Sequence, residues 1–416
     1  MYSRIEACRA CGNSELVQIL DLGVHALTGV FPKDRESSVD SGPLRLVKCH
    51  GAAACGLVQL EHTFSLDQMY GDNYGYRSGL NPTMARHLHD KVKRILSMGY
   101  PAQDGLLLDI GSNDGTTLAG FPPDRYDLVG MDPTASKFID YYRPDITVIA
   151  DFFSEERFRE FFGGRQASVV TSFAMFYDLE SPLDFMRQVH SILAPNGVWV
   201  FEQSYLPLML ERNSYDTVCH EHLEYYSLSQ VAWMASQVGF TLTDVELNDI
   251  NGGSFSVMAE KTRHGASESP RVTAIIEREK SMGVDGLDLY RAFASRVEAS
   301  RRELLDFVAG THQANQMVGA LGASTKGNVL LQYCELSPHD LVAIGEVNED
   351  KFGSFTPGTR IPIVPEVELL EMRPDFLLVL PWHFRETFLS KQVDATSRLV
   401  FPLPQLEVVD PRRPPS

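Results

Sequence analysis

No stretch of this 416-residue chain stays apolar long enough to cross a bilayer, and Met1–Leu20 lacks the charged-then-apolar order of a secretory leader. A cytoplasmic protein with no membrane partner is expected. Positive charge is also scarce: 37 Lys and Arg stand against 55 Asp and Glu, a net −18. Phosphate backbones are held by basic surfaces, so nucleic acid is not an expected partner, although a few local donors would still hold a nucleotide-sized anion. Six cysteines are too few for a disulfide framework in a chain of this size, so their spacing matters more than their number. No protein partner is indicated.

What the chain does have is enough apolar content, 44%, for two or three domains with full cores. The most informative stretch is Leu106–Leu118, LLLDIGSNDGTTL. An apolar run ending in a glycine turn reads as a buried parallel strand whose turn lets backbone approach a ligand. A dinucleotide site wants G-x-G-x-x-G, because its pyrophosphate rests on bare N–H groups at a helix N-terminus. Here Gly111-Ser112-Asn113-Asp114-Gly115 lacks the middle glycine. With Asp109 leading, the pattern suits a cofactor with a cationic amino acid end and no phosphate, S-adenosylmethionine. Asp132 ends the next apolar run, where a carboxylate can accept from both ribose hydroxyls.

Strands are expected at 106–110, 127–131, 146–150, 168–173 and 197–203, each followed by a turn, then at 241–248 and 254–260. Five β–α alternations argue a doubly wound parallel sheet. The last two runs are joined by Asp249–Gly253, too short for a crossover helix, so they form an antiparallel hairpin. A parallel sheet ending in one such hairpin is the architecture of class I methyltransferases. Ligands bind at the carboxyl ends of such strands, which puts Asp109–Gly115, Asp132, Asp151-Phe152 and Ala174-Met175 on one rim. Asp151 is placed to accept from the adenine amino group, with Phe152 against its ring.

Cys8 and Cys11 form a C-x2-C knuckle, and Cys49 and Cys55 follow about forty residues later. That is the pattern of a closed structural zinc site. The second pair is wide, so His50 competes as a ligand. The tyrosine- and glycine-rich stretch Met69–Gly79 puts Tyr74 and Tyr76 ahead of a helix expected over 80–96. Beyond the fifth strand, Asn213–Tyr226 gathers Glu221 and His222 in a polar, aromatic loop, where an imidazole beside a carboxylate suits acid–base work. A long helix is expected over 265–315. A second α/β unit then begins with a strand at 317–321, the small-residue loop Gly322–Asn328 and a helix at 329–333. Backbone N–H groups, Ser324, Thr325 and Lys326 would make an anion site there. Further strands at 341–347 and 376–380 would bring Glu346, Asn348, Trp382 and His383 to the same ligand.

These three features in this order resemble the nucleotide-sugar C-methyltransferases, which build branched deoxysugars for antibiotics and bacterial polysaccharides. The resemblance implies three parts: a zinc-binding module at 1–75, an S-adenosylmethionine-binding core of Rossmann-like class I fold at 76–265, and a C-terminal Rossmann-like α/β domain at 266–416 that binds the nucleotide sugar. It implies a sugar site lined by Tyr74, Tyr76, Glu221 and His222, and a nucleotide diphosphate held with the help of Ser324, Thr325, Lys326 and Asn328. Some relatives carry a histidine where this chain has Asp178. The chemistry expected is abstraction by His222, oriented by Glu221, of the proton beside a 4-keto group of a nucleotide-linked, dTDP-type sugar, with the hydroxyls of Tyr74 and Tyr76 stabilising the enolate oxygen and methylation at C-3. The alternatives are an O-methyltransferase and a nicotinamide-dependent oxidoreductase.

Overall fold

A computed structural model describes residues 2–64, 77–101, 105–265, 267–390 and 397–410. The N-terminal strands are β1 (Tyr2–Arg4), β2 (Leu16–Ala26), β3 (Ser41–Cys49), β4 (Val58–Leu60) and β5 (His62–Phe64). β2, β3 and β4 form an antiparallel sheet whose fourth strand, Glu224–Tyr225, comes from far along the chain. One face of this sheet is apolar. Leu20, Leu22, Leu44, Leu46, Val58 and Leu60 bury into the same cluster as C-terminal residues such as Val318 and Leu330. So the module is welded to the far end of the chain rather than free-standing.

The central sheet contains β6 (Leu106–Ile110), β7 (Asp127–Met131), β8 (Ile146–Ile149), β9 (Ala167–Phe173) and β10 (Leu193–Ser204). After β11 (Glu224–Tyr225) come β12 (Phe240–Asn248) and β13 (Ser254–Lys261). Their order is β12-β13-β10-β9-β6-β7-β8, with β13 antiparallel to both neighbours. This is the class I methyltransferase sheet, with the order reversal beside β6 and the expected hairpin at its edge. The helices are α1 (Pro82–Ser97), α2 (Thr116–Ala119), α3 (Glu155–Phe162), α4 (Pro182–Ile192), α5 (Leu206–Glu211) and α6 (Leu228–Val238). α1 starts where Asn81 accepts from Thr83 and Met84 N–H groups and Pro82 needs no donor. It buries Met84, Leu88, Val92 and Ile95, the apolar stripe of the sequence.

The single helix expected over 265–315 is two: α7 (Pro270–Met282) and α8 (Asp288–Gln313). Gly283 ends α7 in the left-handed region at φ 79°, which a glycine adopts without strain. The C-terminal sheet holds β14 (Val318–Leu321), β15 (Ile344–Glu346), β16 (Ile363–Pro365), β17 (Phe376–Val379), β18 (Arg398–Phe401) and β19 (Glu407–Val409). The order β16-β15-β14-β17-β18-β19 is parallel except for β19 and reverses direction at β14, the doubly wound arrangement of nucleotide-binding folds. α9 (Thr325–Tyr333) begins four residues earlier than expected, because the Ser324 hydroxyl caps it by accepting from Gly327 N–H. Among the described residues no helix is long and apolar enough to cross a membrane.

Candidate active site

A cavity of about 280 Å³ opens at the carboxyl ends of β6, β7, β9 and β10. Asp109, Gly111, Asn113, Asp132, Phe152 and Ala174 all line it. Asp132 accepts from Asn113 N–H at 2.9 Å and from the Thr134 N–H and hydroxyl at 2.6 Å each. A carboxylate has about four acceptor sites, so capacity remains for a ribose hydroxyl. Asp109 is 2% exposed and accepts from Thr171 Oγ1 at 2.6 Å. Burial raises its pKa to about 7, against the Thr171 hydrogen bond. Asn113, Ala174 and Asn251 in the wall all hold positive φ, 51°, 54° and 55°. Non-glycine residues in that region mark sites where geometry is imposed.

Two expected cofactor residues are placed differently. A Cβ on Gly115 would sit 2.7 Å from the Tyr142 ring, so this glycine makes room for a protein side chain rather than for a ligand. Asp151 sits 3.1 Å from Arg157 Nε and accepts from Phe152 N–H, outside the cavity wall. The sequence reading missed Met84, Leu88, Tyr177, Glu202 and Gln203, which also line the cavity. The apolar face of α1 was legible; its pointing at a ligand was not.

The 213–226 segment is no surface loop. Asp216, His220 and Glu224 are each 1% exposed, and β11 within it completes the N-terminal sheet. His222 packs its ring on Tyr177, centroids 4.2 Å apart, and Tyr177 in turn lines the cavity. Its Nδ1 meets the Thr217 carbonyl at 3.0 Å, so Nδ1 carries the proton and Nε2 keeps its lone pair. The orienting partner is therefore a backbone carbonyl and not Glu221. That carboxylate turns instead to Thr28 Oγ1 (3.5 Å) and lies 2.7 Å from where a Cβ of Gly29 would be. Burial, then the Lys326 charge, lowers the His222 pKa to about 3. Tyr74 and Tyr76 fall outside the described residues.

The C-terminal residues converge on the same region. Lys326 Nζ donates to Asn251 O at 2.6 Å, and Asn251 lines the cavity. Trp382 Nε1 donates to buried Asp216 at 2.8 Å, and Trp382 and His383 pack against Gly252. Burial followed by Lys326 holds His383 near pKa 3. Asn328 donates to Thr28 O, and Glu346 accepts from Val347 and Asn348 N–H groups. In their present positions Asn328 and Glu346 serve the protein's own backbone. Ser324 and Thr325 stay half-buried at the start of α9.

In the N-terminal module, the Sγ atoms of Cys8, Cys11, Cys49 and Cys55 lie within 4.8 Å of one another. Tetrahedral zinc with Zn–S bonds near 2.3 Å needs S···S separations of about 3.8 Å, which this cage matches. The pairs Cys8–Cys55 and Cys11–Cys49 stand 3.6 and 3.5 Å apart, and Asn13 Nδ2 donates to Cys49 Sγ. His50 is not part of the cluster.

Family models match along the chain: a zinc binding domain at residues 8–70, a methyltransferase domain at 80–245 and a C-methyltransferase C-terminal domain at 249–404. C-methyltransferase NovU from Streptomyces niveus is 27% identical over 414 residues, 97% of each chain. Among solved structures, a Burkholderia thailandensis N1-methyltransferase with bound S-adenosylhomocysteine aligns over 43% of this chain and 78% of its own, at 12% identity and a TM-score of 0.33. The CcbJ methyltransferase from Streptomyces caelestis aligns over 48% and 97%, at 13% identity and 0.34. The three matches follow one another over nearly the whole chain and, with the cavity and the cysteine cage, mark it as an S-adenosylmethionine-dependent C-methyltransferase with a zinc-binding module at its N-terminus.

Proposed function

We propose that the acceptor is a nucleotide-linked 4-keto-deoxysugar, of dTDP type, methylated at C-3 through an enolate that His222 generates. The observation that carries this reading is Lys326. It stands in the first turn of α9, at the strand ends of the C-terminal sheet, yet its ammonium bonds to Asn251 in the wall of the cofactor cavity. An acceptor anchored by its diphosphate at Ser324, Thr325 and Lys326 would have its sugar within one side chain's length of that cavity.

The cofactor when bound supplies an electrophilic methyl group, which needs only in-line positioning. The cavity suits it: Asp132 for ribose, Phe152 for the adenine face, and Asp109 for the cationic amino acid end. His222 Nε2 is unprotonated and takes the proton beside the ketone. As the proton leaves, charge grows on the ketone oxygen, and hydrogen-bond donors facing that oxygen would lower the barrier. In the free protein His222 is a weak base because burial and Lys326 both oppose its cation. A bound diphosphate would offset the Lys326 charge and return part of the imidazole's proton affinity when substrate is present.

The test is product NMR from the chain incubated with cofactor and a dTDP-4-keto-6-deoxysugar. A new C–CH3 signal is expected, and an O–CH3 signal overturns the reading. His222→Asn should abolish solvent-deuterium exchange at the methylated carbon together with turnover, a loss of about 10²–10⁴-fold for a general base. Exchange that survives the substitution assigns the base elsewhere.

A further inference from the structure

Glu202 and Gln203 are neighbours at the end of β10, so the pleat sends their side chains to opposite faces of the sheet. Both line the cavity and both are buried, 6% and 1% exposed. Their hydrogen bonding is opposite too. Glu202 is fully engaged: Oε1 meets His87 Nε2 at 2.5 Å, and Oε2 accepts from Lys91 Nζ at 3.0 Å and from Asn248 Nδ2 at 2.8 Å. On the other face, neither Oε1 nor Nε2 of Gln203 has a hydrogen-bond partner among the described residues.

Buried side-chain amides are nearly always paired, and an unpaired one in a cavity wall asks for a ligand. An amide offers two N–H donors and a carbonyl acceptor side by side. Its complement is a molecule with a carbonyl oxygen next to a hydroxyl. The sheet order says which bound molecule that is. Phe152 and Asp132 lie on the β7–β8 side of β6, whereas β10 lies two strands away on the opposite side, past β9 and Ala174. A cofactor seated with its ribose at Asp132 and its adenine on Phe152 would put Gln203 beyond its methyl-bearing end, where the acceptor must be.

We propose that Gln203 reads the acceptor: Nε2 donates to the ketone oxygen, which becomes the enolate oxygen, and Oε1 accepts from the hydroxyl on the adjoining carbon. This deepens the ketosugar reading above and rests on it. Gln203 is then a catalytic residue, giving a hydrogen bond that strengthens as charge develops, and it is also a specificity determinant for a hydroxyl beside the ketone.

The experiment compares wild type with Gln203→Met and Gln203→Glu in three measurements. Thermal unfolding of Gln203→Met should be unchanged or raised, since no hydrogen bond to any described residue is lost. S-adenosylhomocysteine affinity by calorimetry should be unchanged in both variants. Acceptor kcat/KM should fall by about 100-fold in Gln203→Met, the scale of losing one oxyanion donor. Gln203→Glu, with two acceptors facing the enolate, should fall at least as far. For wild type, a substrate lacking the adjoining hydroxyl should raise KM, and for Gln203→Met it should make no further difference.

A Gln203→Met enzyme with wild-type kcat/KM overturns the proposal. So does a loss of S-adenosylhomocysteine affinity, which would give Gln203 to the cofactor, and so does a marked fall in unfolding temperature, which would show a structural partner. If wild type itself methylates no 4-ketosugar, the wider reading falls and this one with it. If wild type does and Gln203→Met matches it, this one alone falls.

Discussion

The environment of His222 makes a quantitative prediction about acid. An exposed imidazole with a pKa near 6.5 is only about 3% neutral at pH 5, so a base of that kind would lose about 25-fold in rate between pH 7 and pH 5. Burial first, and the Lys326 charge second, bring His222 to about 3. The free enzyme therefore holds it neutral throughout pH 5–8, and acceptor kcat/KM, measured at saturating cofactor, should show no acid limb in that range. The same shift of about 3.5 units weakens the base by about 5 kcal/mol. A diphosphate beside Lys326 would offset the second of these causes, so kcat, which reports the bound complex, should show a higher acid pKa than kcat/KM. Lys326→Met removes the second cause of the shift, so its kcat/KM profile should move its acid limb upward while the acceptor KM rises. The assay is initial-rate methylation across pH 5–8 in buffers of constant ionic strength. A wild-type kcat/KM that falls tenfold per pH unit below 6.5, with cofactor saturating, would refute both the assignment of His222 and the account of its burial.

Asp109, raised to about 7 by burial, is largely protonated at pH 6 and largely ionised at pH 8. S-adenosylhomocysteine, which keeps the ammonium, should bind about tenfold more tightly at pH 8 than at pH 6, and Asp109→Asn should flatten that slope in calorimetry; a flat wild-type profile would remove Asp109 from the cofactor's cationic end. Metal analysis should find one zinc per chain. Because a structural zinc site contributes about 10–16 kcal/mol of binding free energy to its fold, Cys49→Ser or a strong chelator should strip amide-exchange protection from β2–β4. Methylation should be lost with it, because β11 hangs on that sheet and carries the His222 segment; full activity in zinc-free protein would contradict the coupling.

How much of this was legible in the sequence depended on how far away the cause of each feature lies. The strands of the central sheet could be read because their causes are local: Leu106–Ile110 and Asp127–Met131 are short apolar runs with their turns attached. The cysteine cage could be read from spacing alone. The break at Gly283 was also written locally, but the charged periodicity around it masked it. By contrast, Gly115 is a glycine because of Tyr142, and the proton on His222 is fixed by the carbonyl of Thr217, a group that every residue possesses and no motif displays. Glu202 and Gln203 read alike as polar residues at a strand end. One is satisfied by His87, Lys91 and Asn248 from α1 and β12, and the other by nothing among the described residues. Only the pleat and the packing of distant helices separate them. The same holds where the three parts of the chain meet. Gly29 of the N-terminal module lies against Glu221 of the core and, 3.9 Å from the site of its missing Cβ, Thr325 of the C-terminal lobe. A side chain there would collide with the Glu221 carboxylate at 2.7 Å, so a single hydrogen atom on a residue far from any motif lets the three segments pack against one another at this point.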